Sequence, residues 1–464
     1  MIEPHVEESG TEERSWAQFS LVMLMAMVLT AAVYATEHSW DASEYISFMT
    51  YNFNGAENLT ADRLSEANAG SMLARMLLFG CALLGFLIPG RFKLQWRSPV
   101  LWIWCAFILW MLATCLWSIN PSQTLYKLGV LGIFSLTAMM LPKHFGSDDW
   151  VTVLIATCFS LIMLGFVAEI SLNTFAPFAA AYRFSGTVHP NTQAIYSTVI
   201  CLAGSLYFGR GPKQTMWAVC LIGFGVFILL LTKSRTSLAG MVLGFAAVQA
   251  LRARGAKRVF LVAGAIGGLA VALVAFTLVG ARARGSVGEV ASMGRMEHTS
   301  TLSGRLPLWE HLLVDVGKNP VFGYGYLAYW DAERIEELGD IFSWEIPHGH
   351  NSYIDVMLDG GVIALALYLA WMLAAALRGF RVYEQSQNVG AALLFGVVVV
   401  AFVNGFGESL FKMPNFHLFI LCSLIANTVW GGPAGLSVAS DEAGEDEDWM
   451  RPNVVRRSKV KVLQ

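Results

Sequence analysis

Charged side chains are scarce in this chain. Asp, Glu, Lys and Arg make up 14% of its 464 residues, against 55% hydrophobic, and the mean hydropathy is +0.54. So little charge excludes an ordinary soluble globular protein, and no nucleic-acid partner is expected. Cysteine pairs are missing as well. The seven cysteines (Cys81, Cys105, Cys115, Cys158, Cys201, Cys220, Cys422) fall inside apolar runs without CxxC spacing. They read as small hydrophobes, not as a disulfide framework or a metal site. There is no HExxH. The turn "VFGYGYLAYW" has Gly323 and Gly325 but lacks the third glycine of a dinucleotide fingerprint, and no strand and helix frame it. A basic leader is also absent: "MIEPHVEESGTEERS" is acidic, so the first apolar run is expected to be a retained anchor. No internal repeat of fixed period is found.

What the chain has instead is long apolar runs. Read for stretches of about 17 to 25 residues, it gives roughly twelve, beginning near Trp16, Met72, Val100, Thr124, Trp150, Thr192, Gln214, Thr236, Val259, Ser352, Val389 and Asn415. The expectation is an all-α, polytopic membrane protein with about 12 transmembrane helices. With the N-terminus in the cytoplasm, about 18 of the 31 basic residues fall in inward loops and tail and about five in short outward loops, as the positive-inside rule requires. That orientation gives a cytoplasmic segment 1–15, a membrane-embedded domain 16–430 and a disordered cytoplasmic tail 431–464, where an acidic run ("DEAGEDEDW") gives way to a basic one. Both termini are then cytoplasmic.

Two outer segments are long enough to carry structure. Residues 36–71 form a polar, aromatic cap. Residues 280–351 form a large outer loop in which "SGRLPLWEHLLVDVGKNP" has helical spacing, with Ser303 as N-cap and Asn319-Pro320 as a stop. A short amphipathic helix on the membrane surface is predicted there, and a weaker one in "DAERIEELGDIF".

Basic residues collect on this outer side. Arg183 lies in "YRFSGTVHPNTQA", Lys233 and Arg235 in "TKSRTSLAG", Arg305 in "SGRLPLW", and His348 and His350 in "PHGHNSY". Three helices are expected to begin next to these segments with their N-termini facing outward. Helix N-termini favour anions, and arginine forks match phosphate oxygens, so a diphosphate head is the expected ligand. The two histidines admit three readings: a zinc pair completed by His311, His298 or His189, groups satisfying the loop-to-helix junction, or a general base with Asn351 as cap. Asp355, Asp359, Glu169 and Glu408 could mark a proton pathway or pair with the arginines. The aromatic turn with Tyr324, Tyr326, Tyr329 and Trp330 suits sugar stacking or interface anchoring.

Taken in order, "SR" before a short helix, "GRLPLWEHLLVDVGKNPVFGYGY" and "HNSYIDVMLDGGVIALALYL" resemble the O-antigen ligase and Wzy-type O-antigen polymerase superfamily, with the exopolysaccharide polymerase branch most similar. The upstream "RFSGTVHPNTQA" matches its glycine followed by His-Pro-Asn. The resemblance implies a metal-independent glycosyltransferase without cofactor in the bacterial inner membrane, with a periplasmic active site. The donor it implies is a glycan on undecaprenyl diphosphate, and the acceptor a polysaccharide or lipid-linked sugar; a chain-length regulator is a possible partner. It matches His350 to the base, beside Asn351 and with His348 as second candidate, and matches Arg235 and Arg305, more loosely Arg183, to the diphosphate. Lys233 joins this set, while His189, Asn191, Trp309, Tyr324, Tyr326 and Asp355 are candidates for lining the substrate. A polymerase is the first expectation, an O-antigen ligase acting on lipid A core the second, and a solute transporter or flippase the reading from another class.

Overall fold

A computed structural model of the chain describes residues 16–44, 72–90, 94–179, 182–261, 264, 305–342, 346–410 and 415–430. Among these residues the secondary structure is helical throughout. The helices are α1 (Trp16–Glu37), α2 (Met72–Leu87), α3 (Pro99–Ala113), α4 (Pro121–Met140), α5 (Ser147–Ser171), α6 (Pro190–Ser205), α7 (Pro212–Thr232), α8 (Arg235–Arg252), α9 (Arg305–Lys318), α10 (Ala332–Phe342), α11 (Ser352–Ser386), α12 (Val389–Asn404) and α13 (Phe416–Trp430). Their starts follow local chemistry. Proline, which has no N–H to lose, opens α3, α4, α6 and α7, and side chains of Asn120, His189, Asn351 and Asn388 cap α4, α6, α11 and α12.

Eleven of the twelve predicted runs coincide with one of these helices; the run near Val259 lies largely outside the described residues. So do segments 1–15 and 431–464, most of the outer cap 36–71, Ser303, His298 and the first part of the 280–351 loop. Six of the described helices are long and apolar enough to cross a membrane, which supports a polytopic membrane protein. Three shorter apolar helices have a different setting. Helices α6, α12 and α13 have only 16, 16 and 15 residues and are buried on nearly every face. At 1.5 Å per residue each covers about 24 Å, less than the ~30 Å hydrocarbon layer. They pack against α5, α7, α8, α11 and one another, so their apolar surface meets protein instead of lipid. The loops at their ends are thereby held inside the protein, and these loops carry the site described below.

The 35-residue α11 is broken at Gly360 (φ −142°) and Gly361 (φ +70°). A break frees backbone groups that must find partners away from water. The turn after Pro320 supplies them: Tyr324 N–H donates to Leu358 O (2.7 Å), Gly325 N–H to Asp359 O (3.0 Å), and Val362 N–H to Pro320 O (2.8 Å), while Trp110 Nε1 donates to Gly360 O (2.8 Å). A Cβ on Gly361 would run into the Val321 carbonyl, so glycine is required both by φ and by space. The glycine-aromatic turn is therefore a strut seated in a helix break. Asp359 belongs to it, accepting from Leu327 N–H (2.9 Å).

Helix α9 forms where its spacing predicts, with Leu308, Leu312 and Asp315 buried and Leu313 exposed, and α10 forms as the weaker prediction had it. Asp315 ties α9 to the glycine-aromatic turn, and Arg334 of α10 lies 4.0 Å from its carboxylate. It accepts from Tyr329 Oη (2.5 Å) and Lys318 Nζ (2.6 Å), and its carbonyl accepts from Tyr324 Oη (2.8 Å). Burial alone would raise the Asp315 carboxyl, but the bonds from Lys318 and Tyr329 and the charges of Lys318 and Arg334 outweigh it and hold it below the usual carboxylate range.

Candidate functional site

The predicted basic residues meet around one short segment, residues 405–410, between α12 and α13. Four helix starts converge on it. Arg305, at the head of α9, donates from Nη1 to Gly407 O (2.5 Å) and from Nη2 to Glu408 Oε1 (3.2 Å). Asn191, in the first turn of α6, donates from Nδ2 to the same Glu408 oxygen. Thr236, in the first turn of α8 beside Arg235, packs so tightly on Gly407 that a Cβ there would sit 2.6 Å from its methyl. Ser352, at the head of α11, donates from N–H to Gly405 O (2.8 Å) and from Oγ to Glu408 O (2.7 Å), and accepts from Leu410 N–H (2.8 Å). Helix N-termini carry unpaired N–H groups and partial positive charge, so their convergence makes this region electropositive before any side chain is counted.

Arg183 joins through Asn191, donating from Nη2 to its Oδ1 (2.8 Å), and from Nε to the Thr232 carbonyl at the end of α7 (2.9 Å). That anchor fixes it next to Lys233, which reverses the chain in the left-handed region (φ +51°) between α7 and α8. The loop holding Arg183 is itself organised by Glu169, which accepts from Ser185 N–H (2.9 Å), Gly186 N–H (2.7 Å) and Tyr182 Oη (2.5 Å). Burial pushes the Glu408 carboxyl up, and the charge and hydrogen bond of Arg305, with the charge of Arg183 and the Asn191 amide, offset only part of that rise.

The histidine loop leads directly into this region. Asn351 caps α11, its Oδ1 accepting from Tyr353 and Ile354 N–H (3.0 and 3.2 Å). His350 sits in the left-handed region (φ +48°), its N–H donates to His348 Nδ1 (3.2 Å), and the two rings lie 4.0 Å apart. Between them the Gly349 peptide is gripped from two helices: Asp355 accepts its N–H (3.0 Å) and Trp309 Nε1 donates to its carbonyl (2.9 Å). Asp355 also accepts from Trp330 Nε1 (3.2 Å) and from Ser409 Oγ, so the loop is tied to the 405–410 segment a second time.

The structure thus brings together Arg183, Asn191, Arg305, His348, His350, Asn351, Trp309 and Asp355, with Lys233 and Arg235 at the adjoining α7–α8 junction. His189 caps α6, its Nδ1 accepting from Asn191 N–H (3.2 Å), and its side chain is exposed. Tyr324 and Tyr326 stand apart from this set, in the strut: Tyr326 is buried and its N–H donates to Thr114 Oγ1 (3.1 Å). The four carboxylates raised as a proton pathway each serve a local partner, and the alternative of arginine pairing holds for Glu408. Gly405, Gly407 and Ser409 were not singled out from sequence; the only signal is the run "NGFGES" directly after an apolar helix.

Two comparisons with known proteins bear on the chain. Residues 218–369 match the family described as O-antigen ligase, a range that holds Lys233, Arg235, Arg305, His348, His350 and Asn351 but leaves out Arg183 and Glu408. The chain is also similar to the exopolysaccharide production protein ExoQ of Rhizobium meliloti (strain 1021), 28% identical over 372 residues, 74% of this chain and 82% of the relative. Residues 218–369 are thus similar to the O-antigen ligase family, within a helical membrane protein that is similar over most of its length to an exopolysaccharide production protein.

Proposed function

We propose that the chain is a membrane glycosyltransferase that moves a glycan from a polyprenyl-diphosphate carrier to a sugar hydroxyl on the periplasmic side, extending a polysaccharide. The observation that carries this reading is the convergence of arginines and helix N-termini beside the His348–His350 loop. An acceptor hydroxyl attacks the anomeric carbon, its proton passes to His350, and the C–O bond to the lipid diphosphate breaks with the electron pair leaving on the phosphate oxygen. Arg305, Arg235, Arg183 and Lys233 meet the charge that develops there, helped by backbone N–H groups of the helix starts. One such donor is typically worth about 3 to 4 kcal/mol in the transition state. His350 is favoured over His348 as the base because it adjoins Asn351, and His348, bonded to the His350 backbone, positions it.

Extension of an exopolysaccharide is favoured by the likeness to ExoQ over most of the chain; the family description favours the second reading, ligation of a finished glycan to a lipid acceptor. One experiment separates them. Purified protein is given a polyprenyl-diphosphate oligosaccharide alone, with EDTA present. Products longer by whole repeat units support the polymerase. Transfer only after lipid A core is added supports the ligase, and a protein that carries solute across vesicles without forming a glycosidic bond overturns both.

A further inference from the structure

Arg305 carries a permanent charge and is only 22% exposed, a position where an unpaired guanidinium would be poorly hydrated. Glu408, 13% exposed, meets it at 3.2 Å. The same carboxylate oxygen also accepts from Asn191, whose own oxygen accepts from Arg183 at 2.8 Å. One carboxylate thus links two arginines that lie 122 positions apart in the chain. It is also the one acidic residue in the segment 405–410. A carboxylate that accepts from an arginine fork and an amide occupies the role a phosphate oxygen would take in the same cradle.

Resting on the diphosphate reading above, we propose that Glu408 is the resident counter-anion of the arginine cradle, and that the donor's diphosphate displaces it from Arg305 on binding. Displacement would be felt at the histidines, because the Glu408 carbonyl accepts from Ser352 Oγ (2.7 Å) and Ser352 follows His350 and Asn351 directly. The donor's own charge would thereby report its arrival to the loop that holds the base. Glu408 is a positioning and specificity residue in this account, since it sets how much negative charge a ligand must bring to win the cradle.

The test is binding of farnesyl diphosphate and of inorganic pyrophosphate to the purified full chain, in wild type, Glu408→Gln and Glu408→Asp. Removing a competing charge-assisted hydrogen bond should tighten binding of both probes about tenfold in Glu408→Gln. Glu408→Asp keeps the charge but withdraws it from Arg305, and should fall between the two. KM for the lipid donor should drop in the same order, whereas a merely structural role would not improve it. If both variants, with melting temperatures like wild type, bind no tighter or more weakly, the counter-anion role is overturned while the cradle stands. If wild type itself binds neither probe, the diphosphate reading falls and takes this inference with it.

Discussion

The indole Nε1 of Trp309 donates to the carbonyl of Gly349 over 2.9 Å, so helix α9 holds the peptide that separates His348 from His350. Asp355 holds the N–H of the same peptide from α11. With both backbone groups of Gly349 bound, the loop has little freedom to rotate, and the two imidazoles are fixed as a pair.

Trp309→Phe keeps the ring and removes only the donor. One hydrogen bond of about 1 kcal/mol sets the scale. Turnover in a glycan-transfer assay should fall about fivefold, with KM for the lipid donor unchanged. A raised KM with normal turnover would place Trp309 on the substrate instead of on the loop.

Arg305 makes two contacts in different directions, to Gly407 O and to Glu408. Lysine carries the charge but presents no fork, so Arg305→Lys should not be conservative. Transfer should drop about 100-fold, the loss expected for one preorganised donor on a leaving group. Polymer at near-normal levels in cells with matched amounts of protein would count against the role.

Gly361 lies at φ +70° with the Val321 backbone against its Hα. Gly361→Ala should dislodge the strut from the α11 break and cost at least ~2 kcal/mol, read as a lower melting temperature in detergent. Gly129, inside α4, has no atom within 4 Å of where a Cβ would be. Gly129→Ala should leave the melt unchanged or raise it by the equivalent of about 0.5–1 kcal/mol.

Asp315 links α9 to the glycine-aromatic turn with Arg334 of α10 beside it, and its carboxyl is held below its ordinary value of about 3.9. A depressed carboxylate stabilises the fold above its unfolded pKa and loses that contribution as pH falls through the folded value. Protection from hydrogen exchange in α9 and α10, taken relative to the intrinsic rate at each pH, should therefore hold from neutral pH down to about 4 and fall below it. In Asp315→Asn the low protection should already be present at neutral pH and the acid step should vanish. An acid step of full size in the variant would assign it to another group.

Much of the fold was legible because apolar length and start signals are local properties. Pro99, Pro121, Pro190 and Pro212 mark helix starts within a few residues of where the runs were placed, and the spacing from Leu308 to Leu312 gave α9. Span length was less legible, because α6, α12 and α13 are apolar for the sake of protein neighbours, and hydropathy does not tell a lipid-facing residue from one facing another helix. The site was half legible. Charges on loops that the positive-inside rule expects to face outward point to Arg183, Arg235, Arg305 and the histidines. The segment they converge on was not visible, because Glu408 meets Asn191 across 217 positions and Arg305 across 103, and no local pattern encodes such a meeting. Sequence suits the turn of Tyr324 and Tyr326 to sugar stacking or interface anchoring, and the helix break that it fills is not visible there, because an aromatic-glycine turn looks alike in each setting.

The central claim is that the His350 loop and the arginine cradle act on one bond. Its most direct measurement is release of polyprenyl diphosphate coupled to glycan-chain growth by the purified protein, with EDTA, in wild type and His350→Ala. The account predicts one diphosphate released per glycosidic bond formed in wild type. His350→Ala should lose both activities together, by at least about 100-fold, while still binding the donor. Growth of glycan chains at the wild-type rate in His350→Ala would contradict it.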